Sequence, residues 1–469
     1  MVPVMKSELL LAVVGVGLVV EGGWAQDGAP TPPTPAQADA AAAPAPEAES
    51  EPQTPAGLVP LVDTTGDLAR RPRLFGDFGG TRTEWAEKGL QFDINFTQIV
   101  QAVVDGGLAS STRYGGTLDY NISLDLHRMG VMPGAIVKFR GESRYGSSVN
   151  GIVGSILPVN TDGFFPLTDE LDEDVPFTIT TLSYTQFLSE HVGFLVGKFD
   201  TIDGDPNEFA SGRGTSQFLN GNLVFPTSPI LMAPYSTLGA GIIVQPAQGI
   251  AISSLVYNIN DSSTTTGFSD IGEGSAWLTE AQFQYRLGSL PGGQNVGFGY
   301  AFDTEFVDLG GRLVFQPGQG LALPTKDDTW AAYWSAWQYV FVADADDAPI
   351  NVMNGQQDRQ GIGLFARVGF ADQDTNTIEW TASGGVGGRG LIPGRDLDTC
   401  GVGLFYLSVQ PDRLINRLGV DDHTQGLEAY YNLAITPAAS LSFDVQIVDS
   451  PLPAADTAVI LGMRLGLKF

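Results

Sequence analysis

Leu118, Tyr120, Ile122, Leu124 and Leu126 alternate without a break with Asp119, Asn121, Ser123, Asp125 and His127. A period of two puts one set on each side of an extended chain, which is the pattern of a β-strand and not of a helix. The run Gln91-Phe92-Asp93-Ile94-Asn95-Phe96-Thr97 obeys the same rule. In a third run Ala135, Val137 and Phe139 share one face, and Lys138, Arg140, Glu142 and Arg144 share the other. The clearer runs reach about ten to twelve residues, where soluble strands average about five or six. A tilted strand needs about 9–11 residues to cross a bilayer. Strand length thus points to a membrane-spanning sheet.

Further strands are expected at 177–189, 192–200, 235–245, 249–259, 277–287, 296–305, 330–343, 361–371, 376–385, 399–409, 425–436, 439–449 and 458–469. With the first three this makes about sixteen, and a single-chain bacterial barrel requires an even number. The connections Arg128–Pro133, Glu190–His191, Ala247–Gly249 and Gly288–Gln294 are short, whereas Gly146–Pro176, Thr201–Pro234 and Asn260–Ala276 are long. Outer-membrane barrels pair short periplasmic turns with long external loops. The alternation holds through nine strands with the N-terminus inside. It then slips, because Asp344–Gln360 and Val386–Asp398 are long where short turns are expected. Either those turns are elaborated or one strand is miscounted.

Backbone groups in hydrocarbon must all be paired, so such a sheet must close on itself. About sixteen strands enclose a lumen too wide for side chains to fill. The expected fold is an all-β transmembrane antiparallel barrel of about sixteen strands. Its apolar faces meet lipid and its polar faces line a water-filled pore.

The rest of the chain fits that setting. Lys6 and the apolar run Leu9–Val20 read as a signal peptide over 1–25, with cleavage near Ala25. Residues 26–57 are Pro/Ala-rich with scattered Glu and are expected to form a disordered linker. Residues 58–90 are expected to form a periplasmic segment, and 91–469 the barrel. A single cysteine, Cys400, excludes an internal disulfide or a cysteine zinc cluster. The net charge of −29 disfavours a nucleic-acid partner, since phosphates call for Lys/Arg stripes. It reads either as solvation of exposed loops or as a pore that disfavours anions. The three histidines, His127, His191 and His423, have no metal-site or triad spacing. No cofactor, metal or catalytic residue is expected. The C-terminal strand alternates to Phe469 and resembles the signal read by the outer-membrane assembly machinery.

Three segments resemble the carbohydrate-selective porins, the OprB-like family. They are Leu74-Phe75-Gly76-Asp77-Phe78-Gly79-Gly80-Thr81-Arg82 leading to Trp85-Ala86-Glu87-Lys88-Gly89-Leu90, then Gly197-Lys198-Phe199-Asp200, and Gly385 to Gly403 with Pro393-Gly394-Arg395-Asp396 and Asp398. The resemblance covers about residues 72–469. It implies a sixteen-stranded outer-membrane porin for monosaccharides and similar solutes, narrowed by inward-folded loops and lined by charge. It also implies a short helix over Phe75–Lys88 beneath the barrel, on the periplasmic side. Phe78 stands where Trp is commoner in the family.

The expected pore-lining residues are Asp93, Asn95, Asp119, Asn121, Asp125, Lys138, Arg140, Glu142, Arg144 and Lys198. Opposed charges there either contact sugar hydroxyls or merely neutralise one another and stiffen the wall. The loop Gly146–Pro176 follows the third strand and is expected to narrow the pore with Phe164, Phe165, Asp169 and Glu170. Trp330, Trp334 and Trp337 crowd one strand with Tyr333 and Tyr339; such rings either stack on the apolar face of a pyranose or form an interfacial girdle, and the girdle is expected because Tyr333, Trp337 and Tyr339 share one face. Arg395 is expected to pin a turn with its fork of donors. The expected partners are outer-membrane lipid and small sugars, and a homotrimer is an open possibility. Two other functions compete with a sugar pore: a plugged, non-conducting envelope tether, and a barrel hydrolase, which the poor inventory of nucleophiles and bases disfavours.

Overall fold

The computed structural model describes residues 57–166, 173–202, 206–260, 264–269, 271–311, 314–316, 320–343, 350–351, 356–357, 359–409 and 419–469. The signal peptide, nearly all of the linker, and Asp169 and Glu170 lie outside the described residues.

Sixteen strands close into one antiparallel barrel in simple sequential order. They are β1 (Leu90–Gly107), β2 (Thr112–Asp125), β3 (Ala135–Gly146), β4 (Val175–Phe187), β5 (Val192–Asp200), β6 (Ser236–Ala247), β7 (Ile250–Asn258) and β8 (Ser275–Leu287). The second half comprises β9 (Leu290–Val307), β10 (Thr325–Val342), β11 (Gly361–Ala371), β12 (Ile378–Arg389), β13 (Thr399–Val409), β14 (His423–Thr436), β15 (Ala439–Val448) and β16 (Asp456–Lys468). Two short ribbons, Val314–Gln316 with Gly320–Ala322 and Ile350–Asn351 with Gln356–Gln357, stand apart from the barrel. The sixteen expected strands are all present. The slip in loop parity therefore comes from elaborated turns after β10 and β12, not from a miscounted strand.

The barrel closes where β1 meets β16, from Asn95 opposite Lys468 to Gly107 opposite Asp456. The register shifts twice near the end of β1. Gly106 makes that bulge possible. Its φ is +66°, and a Cβ there would collide with the Thr457 carbonyl.

Burial follows an inside-out pattern. Val402, Leu404, Phe443, Val445, Ile447, Leu461 and Met463 are exposed on the outer surface, while the alternating Ser442, Asp444, Gln446 and Arg464 are buried inside. A soluble sandwich would place the two sets the other way round. This arrangement suits a barrel whose outer solvent is lipid. Tyr333, Trp337 and Tyr339 are a correction to the expected girdle. Tyr333 and Tyr339 are 4% and 2% exposed and reach the carboxylates of Glu280 and Glu208, and Trp337 packs on the same inner core. Trp330 and Trp334 are the exposed members of that strand. Alternation separates two faces, but where both carry aromatic rings it cannot say which one meets lipid.

The lumen holds the apolar core. The β3–β4 and β5–β6 connections fold inward and bury Val149, Leu157, Phe164, Phe165, Phe209, Phe218, Leu223 and Phe225 against Phe365, Phe405, Tyr430 and Ile460 of the wall. At the opposite end of the barrel from these loops lies the helix α1 (Thr81–Glu87). Asp77 accepts from the Thr83 amide and hydroxyl at 2.7 and 2.8 Å and so satisfies the helix start. The Arg82 guanidinium lies 4.6 Å from the Phe92 ring centroid and donates to the Phe469 backbone at 3.0 Å. The Gly-Gly-Thr-Arg run thus fastens the helix to the closing seam.

Candidate pore constriction

β3, β4 and β5 are consecutive antiparallel neighbours; Glu142 on β3 stands opposite Thr178 on β4, and a register shift brings in the nearby Thr180, whose hydroxyl donates to it at 3.1 Å. Asp200, at the end of β5, takes the Arg140 Nη1 donor at 2.9 Å, and Arg140 Nε donates to Asn121 at 3.1 Å. A second arginine arrives from the β5–β6 loop. Arg213 donates to Asp200 at 2.7 Å and to Glu142 at 3.2 Å, and also to the Tyr235 hydroxyl. Tyr235 in turn donates to Glu142. The Tyr235 and Phe165 rings stack at 4.6 Å, and the Arg213 guanidinium lies 5.5 Å from the Phe165 ring centroid.

Local backbone explains how Arg213 reaches this place. Gly212, Arg213 and Gly214 all have left-handed backbone, with φ of 83°, 52° and 79°. Two glycines adopt that conformation freely, and the pair carries one arginine into it at the tip of a tight turn. A Cβ on Gly214 would crowd the Asp162 backbone of the neighbouring loop.

Exposure within the cluster is uneven. The Arg140 and Arg213 side chains are 22% and 13% exposed, whereas Asp200 and Glu142 are 1% and 2% exposed. The carboxylates are the buried members of the cluster, and the arginine side chains are the part-exposed ones. Burial comes first in pushing the Tyr235 hydroxyl well above its usual range, so it remains a neutral donor.

The far side of the β5–β6 loop is fastened across the lumen. Glu428 on β14 accepts the Leu219 and Asn220 amides at 2.5 and 2.8 Å. Arg464 on β16 donates to the Gly214 and Gln217 carbonyls at 2.5 and 2.9 Å. Arg367 on β11 donates to Leu223 O at 2.8 Å, and Asn207 reaches Ala336 O on β10 at 3.2 Å. One loop thus ties β3 and β5 to β10, β11, β14 and β16. The β3–β4 loop docks upon it, with the Thr161 amide donating to Leu219 O at 2.8 Å.

The expected pore-lining residues fall into three groups. Arg140, Glu142 and Asn121 belong to the cluster, and Asp119, Asn95 and Lys138 share its inward face. Arg144 and Lys198 face inward but hold loops: Arg144 donates to Phe164 O at 2.9 Å and to Glu173 O, and Lys198 donates to Thr265 O. Asp93 and Asp125, at the helix end, hold the N-terminal segment through Arg73 and the amides of Leu58 and Val59. Phe164 and Phe165 are buried under the inward loops. Arg395 forms a forked pair with Asp398 at 2.9 and 2.7 Å and donates to Ala434 O at 2.9 Å, which pins the β12–β13 turn. Sequence reasoning missed Arg213, Tyr235 and Glu428, and had Asp200 only as the end of the family-like segment Gly197–Asp200. Glycines flanking Arg213 were the one local signal, and Glu428 shows only as a charge on the inward face of its strand.

The comparisons agree with this architecture. The family model described as carbohydrate-selective porin, OprB family, matches residues 109–469. Porin B of Pseudomonas aeruginosa is 25% identical over 435 residues, covering 84% of this chain and 91% of that protein. The high-pH structure of Pseudomonas putida OprB superposes with a TM-score of 0.70 at 19% identity, covering 86% of this chain and 99% of that one. The low-pH structure of the same protein gives 0.50 at 17% identity over the same shares. A closed polar-lined barrel, an inward-folded loop carrying charge and a family match over most of the chain lead to one assignment: the chain belongs to the OprB family of carbohydrate-selective porins and is a bacterial outer-membrane channel.

Proposed function

We propose that this porin passes neutral polyhydroxylated solutes by passive diffusion, and that its narrowing element is the Arg140–Glu142–Asp200–Arg213–Tyr235 cluster. The observation that carries this reading is the uneven exposure of that cluster. The arginine side chains are part-exposed while their carboxylate partners stay buried, so the site presents a charge-balanced polar edge to a passing sugar without enclosing it as a closed pocket would. Weak, replaceable contacts are what conduction requires. Phe165 and Tyr235 are each 2% exposed and stack on one another, so ring stacking on a pyranose plays no part here. The net charge of −29 does not carry into this cluster, because Asp200 and Glu142 are already paired with arginines. The acidity is loop solvation rather than a cation filter. The helix end faces the periplasm in this reading, and Phe469, packed on Phe75 at 5.0 Å, closes the seam after the assembly machinery has read it.

Arg213→Ala tests the assignment in planar bilayers. It is expected to raise unit conductance and to weaken the reduction of current by added glucose. Unchanged sugar block with unchanged conductance would place the narrowing elsewhere.

A further inference from the structure

The stretch Gly57–Thr64, which precedes the family motifs, lies on the lumen side of the wall at the helix end. The Leu58 and Val59 amides both donate to Asp125 Oδ2, at 2.6 and 2.9 Å. The other carboxylate oxygen accepts the Arg128 amide at 2.9 Å, and Arg128 Nη2 donates to Val59 O at 3.0 Å. Gln91 Nε2 donates to Pro60 O at 2.9 Å. Gly57 lies flat on Arg128, and a Cβ there would run into the guanidinium. Further along, buried Arg73 pairs with Asp93, and the Leu74 amide donates to Lys468 O at 2.8 Å.

Gln91, Asp93 and Asp125 belong to the inward face of β1 and β2. The chain thus follows the inner rim from the β2–β3 turn, across β2 and β1, to the closing strand β16. Asp125 is 1% exposed. An inward carboxylate at a pore mouth would ordinarily stay wet, since burying it without partners is costly. Here the strap supplies two amides and so allows the group to be covered. The donors are backbone groups bound by a carboxylate, a charge-assisted arrangement stronger than a neutral pair.

We propose that Gly57–Thr64 is an intramolecular strap that narrows the helix-end mouth of the pore and sets the point on the rim from which the preceding chain departs. Its receptor is the Asp125–Arg128 pair. The strap is separate from the cluster at Arg213, so the two narrow the channel independently.

Two substitutions release the strap without altering wall charge. Val59→Pro removes a donor to Asp125, and Gly57→Val drives a side chain into Arg128. In the full mature chain, each is expected to shift unit conductance to a higher level. Gly57→Val, which leaves the residues around Leu61 unchanged, is also expected to speed thermolysin cleavage before Leu61 several-fold. Heat-modifiable gel migration reports whether each variant has folded, and Gly57→Val keeps the test alive should Val59→Pro fail. Faster cleavage with unchanged conductance would overturn the narrowing role. A parent chain already cut at this position would overturn the docking itself.

Discussion

Asp162 shows how one side chain can make the interior of this porin responsive to pH. It sits on the β3–β4 loop, and the Thr117 hydroxyl lies 2.9 Å from both of its oxygens. Burial holds its carboxyl up to about 7, Asp119 adds to the shift, and Thr117, Arg213 and Arg464 oppose it. The docked value lies above the 3.8 of a freed loop, so docking is fully favoured below that range. The contribution falls as pH rises and is gone once pH has passed about 7. Channel noise is therefore expected to rise as pH climbs from about 4 to about 7, between the freed and docked values, and to level off above them. Asp162→Asn is expected to flatten the profile. An identical profile in the variant would show that another group titrates. Arg140 and Glu142 were legible as an alternating charged face. Arg213 was not, because it meets Glu142 across 71 residues and a loop has no period to read.

The element that organises the lumen is the β5–β6 loop, residues 201–235. Its hold on the wall is tested at Glu428. Glu428→Ala leaves the Leu219 and Asn220 amides buried without an acceptor, at a cost of about 1–3 kcal/mol each. The expected outcome is a larger, noisier conductance with an unchanged heat-denaturation midpoint for the barrel, whose strand ladder is untouched. A quiet channel of parental size would mean the loop is held elsewhere. All sixteen strands were legible because a lipid face and a lumen face impose a strict period of two. The long turns after β10 and β12 were legible as anomalies of length. The inward fold of Gly146–Pro176 was expected only from the family resemblance, and the β5–β6 connection was read as nothing more than long. Gly146–Pro176 was expected to narrow the pore, and its Phe164 and Phe165 are packed in the core of the inward loops, while its Asp169 and Glu170 lie outside the described residues. Phe209, Phe218 and Phe225 read as apolar residues in a loop until the wall that receives them is known.

Across the whole molecule, the same alternation that builds a soluble core is turned inside out. Apolar faces look outward to lipid, polar faces look inward, and the inward loops then rebuild a core inside the lumen. This division leaves the sheet continuous around the barrel while the inward loops pack within it. The chain's acidity follows the same logic. Its acids in the central cluster are neutralised by arginines, and most of the remainder lies in connections. The central claim, that the folded barrel is an open passage for small sugars, is tested most directly by swelling of liposomes carrying the purified protein in isotonic sugar solutions. The account predicts swelling whose rate falls steadily from pentose to hexose to disaccharide, with no requirement for an energy source. A heat-modifiable, correctly folded barrel that gives no swelling with any of the three would contradict it.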